Sequence, residues 1–165
     1  MPFTPLHLGP GLVFKAIGGR HFSFMVFGGT QVLMDIEPGL GMLRGWPVLH
    51  GYTHTLPGAL VIGTVAGVIG RPISEFVLRR LGIVHAPFTW SASFLAAYLG
   101  SVSHVALDAV MHADMVPFWP WIEGNPWLRA LSMETLHLAC VALIGLGGLL
   151  LGAQALLRRR RGSPP

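Results

Sequence analysis

The chain has 165 residues, of which 52% are hydrophobic and 11% charged; a soluble domain carries about 25% charged residues, so an ordinary water-soluble fold is excluded. The net charge of +4 and the pI near 10.2 do not indicate nucleic-acid binding, because the bases fall in short clusters and not on a basic face interleaved with aromatics. Cys140 is the single cysteine, which excludes an internal disulfide and a thiolate zinc site and leaves nitrogen and oxygen as the ligands for any metal.

The N-terminus lacks a basic n-region and a small-residue cleavage site, so no removed signal peptide is expected. Residues 5–17 and 22–34 are short apolar segments parted by Gly18-Gly19, a turn signal. They read as a helical hairpin whose first arm is short or partly inserted. Asp35-Ile-Glu37-Pro38 ends the second arm, with Pro38 stopping it. A Pro/Gly-rich loop containing His50-Gly-Tyr-Thr-His54 leads into an apolar run at 56–70 that stops at Arg71-Pro72. Ile73, Phe76, Val77 and Leu81 then share one helical face against Arg79 and Arg80, the pattern of an amphipathic surface helix. Residues 81–107 contain no acid and no strong base, and their span is expected to begin near Trp90. Residues 135–157 form the cleanest span and run into Arg158 to Arg161; a membrane helix needs roughly 17–25 mostly apolar residues.

The expected fold is therefore all-α, an integral membrane helical bundle. It comprises about five membrane helices, the first of them short, plus a cytoplasmic amphipathic helix. Residues 1–157 form the single transmembrane domain and 158–165 a basic, disordered tail. The mean hydropathy of +0.61 agrees, and the lipid bilayer is the first partner. Gly63-x-x-x-Gly67 and Gly148-x-x-x-Gly152 offer close helix packing, within the chain or in a homo-oligomer.

Charge sets the expected orientation. With the Gly18 turn, the Arg71–Arg80 region and the C-terminus in the cytoplasm, that side holds nine bases against Glu75 alone, a net +8. The other side holds Arg44 and Arg129 against six acids, a net −4. Trp46, Tyr52, Trp119, Trp121 and Trp127 fall in the outer aromatic belt. The same topology brings Asp35, Glu37, His50, His54, His104, Asp108, His112 and Asp114 to one membrane face. Nothing in the charge count required the histidines to go there.

Their spacing points to a metal. His104, Asp108 and His112 recur at i, i+4 and i+8, and each step of four drifts by only about 40° around a helix, so the three form one stripe. The alternative is a helix-end polar patch facing water. His50 and His54 at i, i+4 grip one ion from one face if that segment is helical; otherwise they are two interfacial histidines, and Thr53 or Thr55 caps the helix. Asp35 and Glu37 converge only if the helix end unwinds. His7 joins the group if the first arm runs inward from the outer face. Glu134 and His137 are candidates for supporting roles, and His21 and His85 read as interfacial.

At these residues the chain resembles the predicted membrane-bound metal-dependent hydrolases, including the LexA-regulated inner-membrane proteins. His7 in Pro-Leu-His7-Leu is similar to their early histidine. Asp35-Ile-Glu37-Pro38 resembles an Asp-x-Asp-His element, and His50-Gly-Tyr-Thr-His54-Thr a His-Arg-Gly-x-Thr-His-Ser element. Ser103-His104-Val-Ala-Leu-Asp108 matches Ser-His-x-x-x-Asp, and Pro117-Phe-Trp-Pro120 an aromatic run. Pro38 stands where the family has a histidine, and His50 and His54 are one residue closer together. His112 and Asp114 are placed to compensate. The resemblance implies hydrolysis in a bacterial inner membrane.

Together these readings nominate His7, Asp35, His50, His54, His104, Asp108 and His112 as metal ligands and Glu37 or Asp114 as the general base. One or two divalent ions are expected, zinc first and manganese second, acting on an amphiphilic ester or phosphoester. A metal or proton transporter would use the same residues but needs an aqueous route, and no acid or strong base lies deep in the inner halves of the spans. A structural membrane subunit would use the cluster as buried glue.

Overall fold

The computed structural model describes residues 5–83, 85 and 87–161. Among them the chain forms six α-helices: α1 (Leu8–Gly18), α2 (Phe24–Met34), α3 (Ile36–Arg44), α4 (Leu56–Arg80), α5 (Trp90–Met111) and α6 (Met133–Arg160). There is no strand among the described residues. Four helices start on a hydroxyl cap, as their sequences require. Ser23 accepts from Val26 N, Thr55 from Gly58 N, Thr89 from Ala92 N and Ser132 from Thr135 N.

Three helices, α4, α5 and α6, are long and apolar enough to cross a membrane. The helical membrane bundle is as expected, but both arms of the hairpin are short. α1 and α2 have 11 residues each, about 16 Å of helix against a hydrocarbon core of about 30 Å. The hairpin lies alongside the long helices instead of adding two full spans. α1 runs parallel to α6: Gly9 faces Cys140, Leu12 faces Gly147, and Gln154 Nε2 donates to Ala16 O at 2.8 Å. α2 packs against α4 and α5.

α4 and α5 are antiparallel and meet through small residues. A Cβ on Gly67 would lie 2.4 Å from Phe94 Cδ1, and one on Gly63 2.7 Å from Tyr98 Cδ1. The Gly63–Gly67 pair thus serves packing within the chain. Gly148 and Gly152 face open space. Phe22, Val26, Phe27, Ala66, Ala96 and Ala97 form one core cluster. Met34, Ala59, Val105, Ala109 and Met115 form a second, nearer the polar residues.

Three boundaries differ from expectation. Pro38 does not stop a helix; it is the third residue of α3, where its missing N–H would have had no partner anyway. The amphipathic segment at 73–83 is not a separate helix; through Arg80 it is the end of α4, which continues through Pro72. An interior proline removes one hydrogen bond of the helix ladder. Here Arg71 Nε bonds Glu75 Oε1 across the proline at 3.1 Å, and its guanidinium lies 4.8 Å over the Trp90 ring. Arg158–Arg160 are not tail but the last turn of α6. The remaining tail, 162–165, lies outside the described residues.

Candidate metal centre

Asp108 is the hub. It sits in the last turn of α5, and Asp35 is the C-cap of α2. The Asp108 carboxylate therefore lies at the negative end of a helix, where a cation and not an anion is favoured, whereas Asp35 is also the N-cap of α3. Asp108 is 3% exposed. Its Oδ2 is 3.1 Å from His104 Nε2 and 3.6 Å from His54 Nε2. Its Oδ1 is 3.4 Å from His7 Nε2 and 3.9 Å from His112 Nε2. Asp35 Oδ1 lies 3.5 Å from His104 Nε2.

Two ligand-like groups result, both including Asp108. In Asp35, His54, His104 and Asp108, and again in His50, Asp108 and His112, one donor atom per residue lies within 4.8 Å of the others. His7 stands beside the Asp108 oxygen that faces the second group. Five buried atoms there have no hydrogen-bond partner: His7 Nδ1, Asp35 Oδ2, and the Nε2 atoms of His54, His104 and His112.

Three of the imidazoles are held from behind. Gln31 Nε2 donates to Gly100 O at 3.0 Å, which turns its Oε1 toward His104 Nδ1 at 2.8 Å. That oxygen accepts only, so His104 carries its proton on Nδ1 and presents a lone pair at Nε2. The Thr53 hydroxyl donates to Glu37 Oε2 and so accepts from His54 Nδ1 at 3.0 Å. His50 Nδ1 donates to Asp114 Oδ1 at 2.9 Å. Carboxylates and amides in these positions fix ring tautomers and raise ligand basicity.

Glu37 and Asp114 thus sit behind His54 and His50, away from the centre of the cluster. Gly51 makes room for the first: a Cβ there would lie 2.6 Å from Glu37 Oε1. The His54 ring, 3.7 Å away, and then the Thr53 hydroxyl and amide hold the Glu37 carboxyl below its usual range against the upward push of burial. Burial also pushes Asp114 up, but the Leu49 and His50 amides and the His50 ring outweigh it and hold the carboxyl at about 2.

His50 and His54 meet without a shared helix. Gly51 breaks the segment, Tyr52–His54 is a single 3-10 turn, and Thr55 caps α4. The two rings still pack edge to face at 4.9 Å. His112 lies just past α5 and stacks on His50 at 3.9 Å. Asn125 pins this end by donating to Ala109 O at 2.7 Å and His112 O at 3.0 Å. Glu134 and His137 stay out of the site. Both are exposed, because α6 turns Leu136 and Cys140 inward instead. Gln31 is the residue that sequence reasoning passed over. An amide in the otherwise apolar middle of α2 was the available signal.

A cavity of about 390 Å3 opens beside the second group, lined by Pro38, Met42, Trp46, His50, His112 and Asp114 among others. Ile36, Leu40 and Leu43 on α3 and Val48 just beyond it are exposed around this region.

A family model described as YdjM inner membrane protein matches residues 21–162. The chain belongs to the YdjM inner membrane protein family. No curated protein and no solved structure matches it. The YdjM match takes in α2 to α6 with every candidate ligand but His7, which lies on the turn before α1. Membership and the three apolar helices make this YdjM-family chain a membrane protein in contact with lipid.

Proposed function

We propose that the chain is an integral membrane, metal-dependent hydrolase. Its His/Asp centre holds one or two divalent ions, zinc before manganese, at the outer interface, with the C-terminus in the cytoplasm. The charge asymmetry supports that orientation. The observation that carries the proposal is the convergence on Asp108 of three buried imidazole Nε2 atoms, those of His54, His104 and His112, none of which has a hydrogen-bond partner. Each such atom costs about 1–3 kcal/mol. Three cost roughly 3–9 kcal/mol, a large fraction of the net stability of a typical domain. Polar glue would pair its own atoms; these point at a common space.

The donor set fits the ion. Imidazole nitrogens with carboxylate oxygens suit zinc, and carboxylate-richer sets suit manganese. Asp35, His54, His104 and Asp108 would hold one ion; Asp108, His50 and His112, with His7 beside them, would hold a second. One Asp108 oxygen faces His54 and His104 and the other faces His7 and His112, so its carboxylate would serve both groups. A bound divalent ion lowers the pKa of water toward neutrality and polarises the scissile group. Gln31, Thr53 with Glu37, and Asp114 keep the lone pairs of His104, His54 and His50 aimed inward. Glu37 and Asp114 are read as positioning residues first; each reaches a proton of the centre only through its histidine. The cavity beside His50 and His112, rimmed by Trp46 and Met42, suits an amphiphilic ester or phosphoester arriving from the interface.

The test is metal content of the purified protein with and without Asp108→Ala. About one or two ions per chain are expected in the wild type and almost none in the variant. Equal trace metal in both would end the proposal. Ion flux in vesicles with no hydrolysis of any ester or phosphoester would move the site to a transporter.

A further inference from the structure

The opposite end of the molecule carries a polar cleft that the metal centre does not use. α6 overshoots the hairpin. Gln154 is level with Ala16, to whose carbonyl it donates at 2.8 Å, and Arg158 and Arg159 follow one turn later. Between them and α1 lies a cleft of about 480 Å3, lined by Lys15, Gly19, Leu151, Gln154, Arg158 and Arg159 among others. Gly19 leaves it open, since a Cβ there would meet nothing within 4 Å.

The cations of this cleft are not neutralised within the described chain. Lys15 Nζ donates to Gly19 O at 2.8 Å and Phe22 O at 3.0 Å, both uncharged acceptors. Glu75, the acid of this end, pairs with Arg71 at 3.1 Å. Among the described residues no carboxylate pairs with Lys15, Arg158 or Arg159, and Lys15 and Arg158 are close enough to repel. The C-termini of α1 and α6 contribute about −0.5 each, so the three cations leave a surplus of about +2. Leu151 and Ala155 make the rest of the wall apolar. Below them α6 exposes Leu150 along a span that crosses the membrane by length and composition. A cation cluster at the mouth and hydrocarbon below match a ligand with an anionic head and an acyl tail. Basic pockets between membrane helices bind lipid head groups of this kind.

We propose that this cleft between α1 and α6 binds the phosphate head group of an anionic membrane lipid. The bound lipid bridges the hairpin to the last helix and is independent of any chemistry at the metal centre.

The test uses the full chain in a neutral detergent, titrated with dioleoylphosphatidylglycerol or dioleoylphosphatidylcholine and read by native mass spectrometry. The anionic lipid is expected to bind in preference to the zwitterionic one. The double substitution Arg158→Ala with Arg159→Ala is expected to weaken it about 30-fold. Arg160→Ala with Arg161→Ala removes the same charge from the same helix end but spares the cleft, and should leave binding within a few-fold. These arginines make no contact the fold depends on, so both variants remain folded; Lys15, which caps α1, is left unchanged. Equal loss in both double variants would reduce the effect to diffuse charge and overturn the site. So would equal binding of the two lipids. Displacement of the lipid by millimolar inorganic phosphate alone would overturn the assignment to a lipid and give the cleft to free phosphate.

Discussion

Gln31→Leu isolates what holds His104 in place. The substitution puts an apolar side chain of similar size in its place and deletes the acceptor 2.8 Å from His104 Nδ1 and the donor 3.0 Å from Gly100 O. His104 is fully buried. Its Nδ1–H, left unmet, costs about 1–3 kcal/mol. The ring escapes that cost by moving its proton to Nε2, the nitrogen 3.1 Å from Asp108 Oδ2, and then has no lone pair for an ion. By either route metal affinity is expected to fall about 10–100-fold, or about 1.4–2.7 kcal/mol. Gln31→Glu separates this effect from stability. It keeps an acceptor for His104 and so retains metal, while Gly100 O loses its donor and the thermal midpoint falls. The assay is zinc competition against a chromophoric chelator, with thermal unfolding in metal-free buffer alongside. Wild-type affinity in Gln31→Leu, or equal loss of metal in both variants, would refute the reasoning.

Packing between α4 and α5 is tested by Gly67→Val, whose Cβ would lie 2.4 Å from Phe94 Cδ1. It should cost about 1–3 kcal/mol in detergent unfolding, whereas Gly148→Val, with nothing within 4 Å, should change stability by no more than about 0.5 kcal/mol. Equal effects would contradict the helix pairing described above. Asp114 makes stability depend on acid. Its carboxyl is held at about 2, below the ordinary 3.8, so its contribution is complete above the unfolded value and disappears as pH falls from about 4 toward 2. In chelator-treated protein, Asp114→Asn should flatten the unfolding midpoint across that window; an unchanged profile would show that the carboxylate does not hold the Leu49–His50 segment.

The spans were legible because hydropathy and charge are properties of the chain itself. Trp90 as the start of α5 and the arginines at the end of α6 follow directly from where apolar runs meet polar ones. The stripe of His104, Asp108 and His112 was legible for a similar reason, since helix period alone aligns it. Helix boundaries at prolines were not. Pro38 and Pro72 each read as stops, yet position in the first turn spares one, and α4 runs on through the other. Nor did spacing reveal how His50 and His54 meet, because a broken segment with Gly51 obeys no period. The roles of Glu37 and Asp114 depend on which side of an imidazole each occupies. That is a property of the folded loops, and so is the choice of Gln31 by His104.

The pairing of α1 with α6 joins two helices more than a hundred residues apart in sequence. α6 touches α5 sparingly and leans mainly on α1, so each is the other's principal neighbour on that flank. His7 travels with α1. The other six candidate ligands are carried between α2 and the end of α5, whereas the seventh reaches Asp108 from a helix whose steadiest support is α6, so loosening α6 would loosen His7 first.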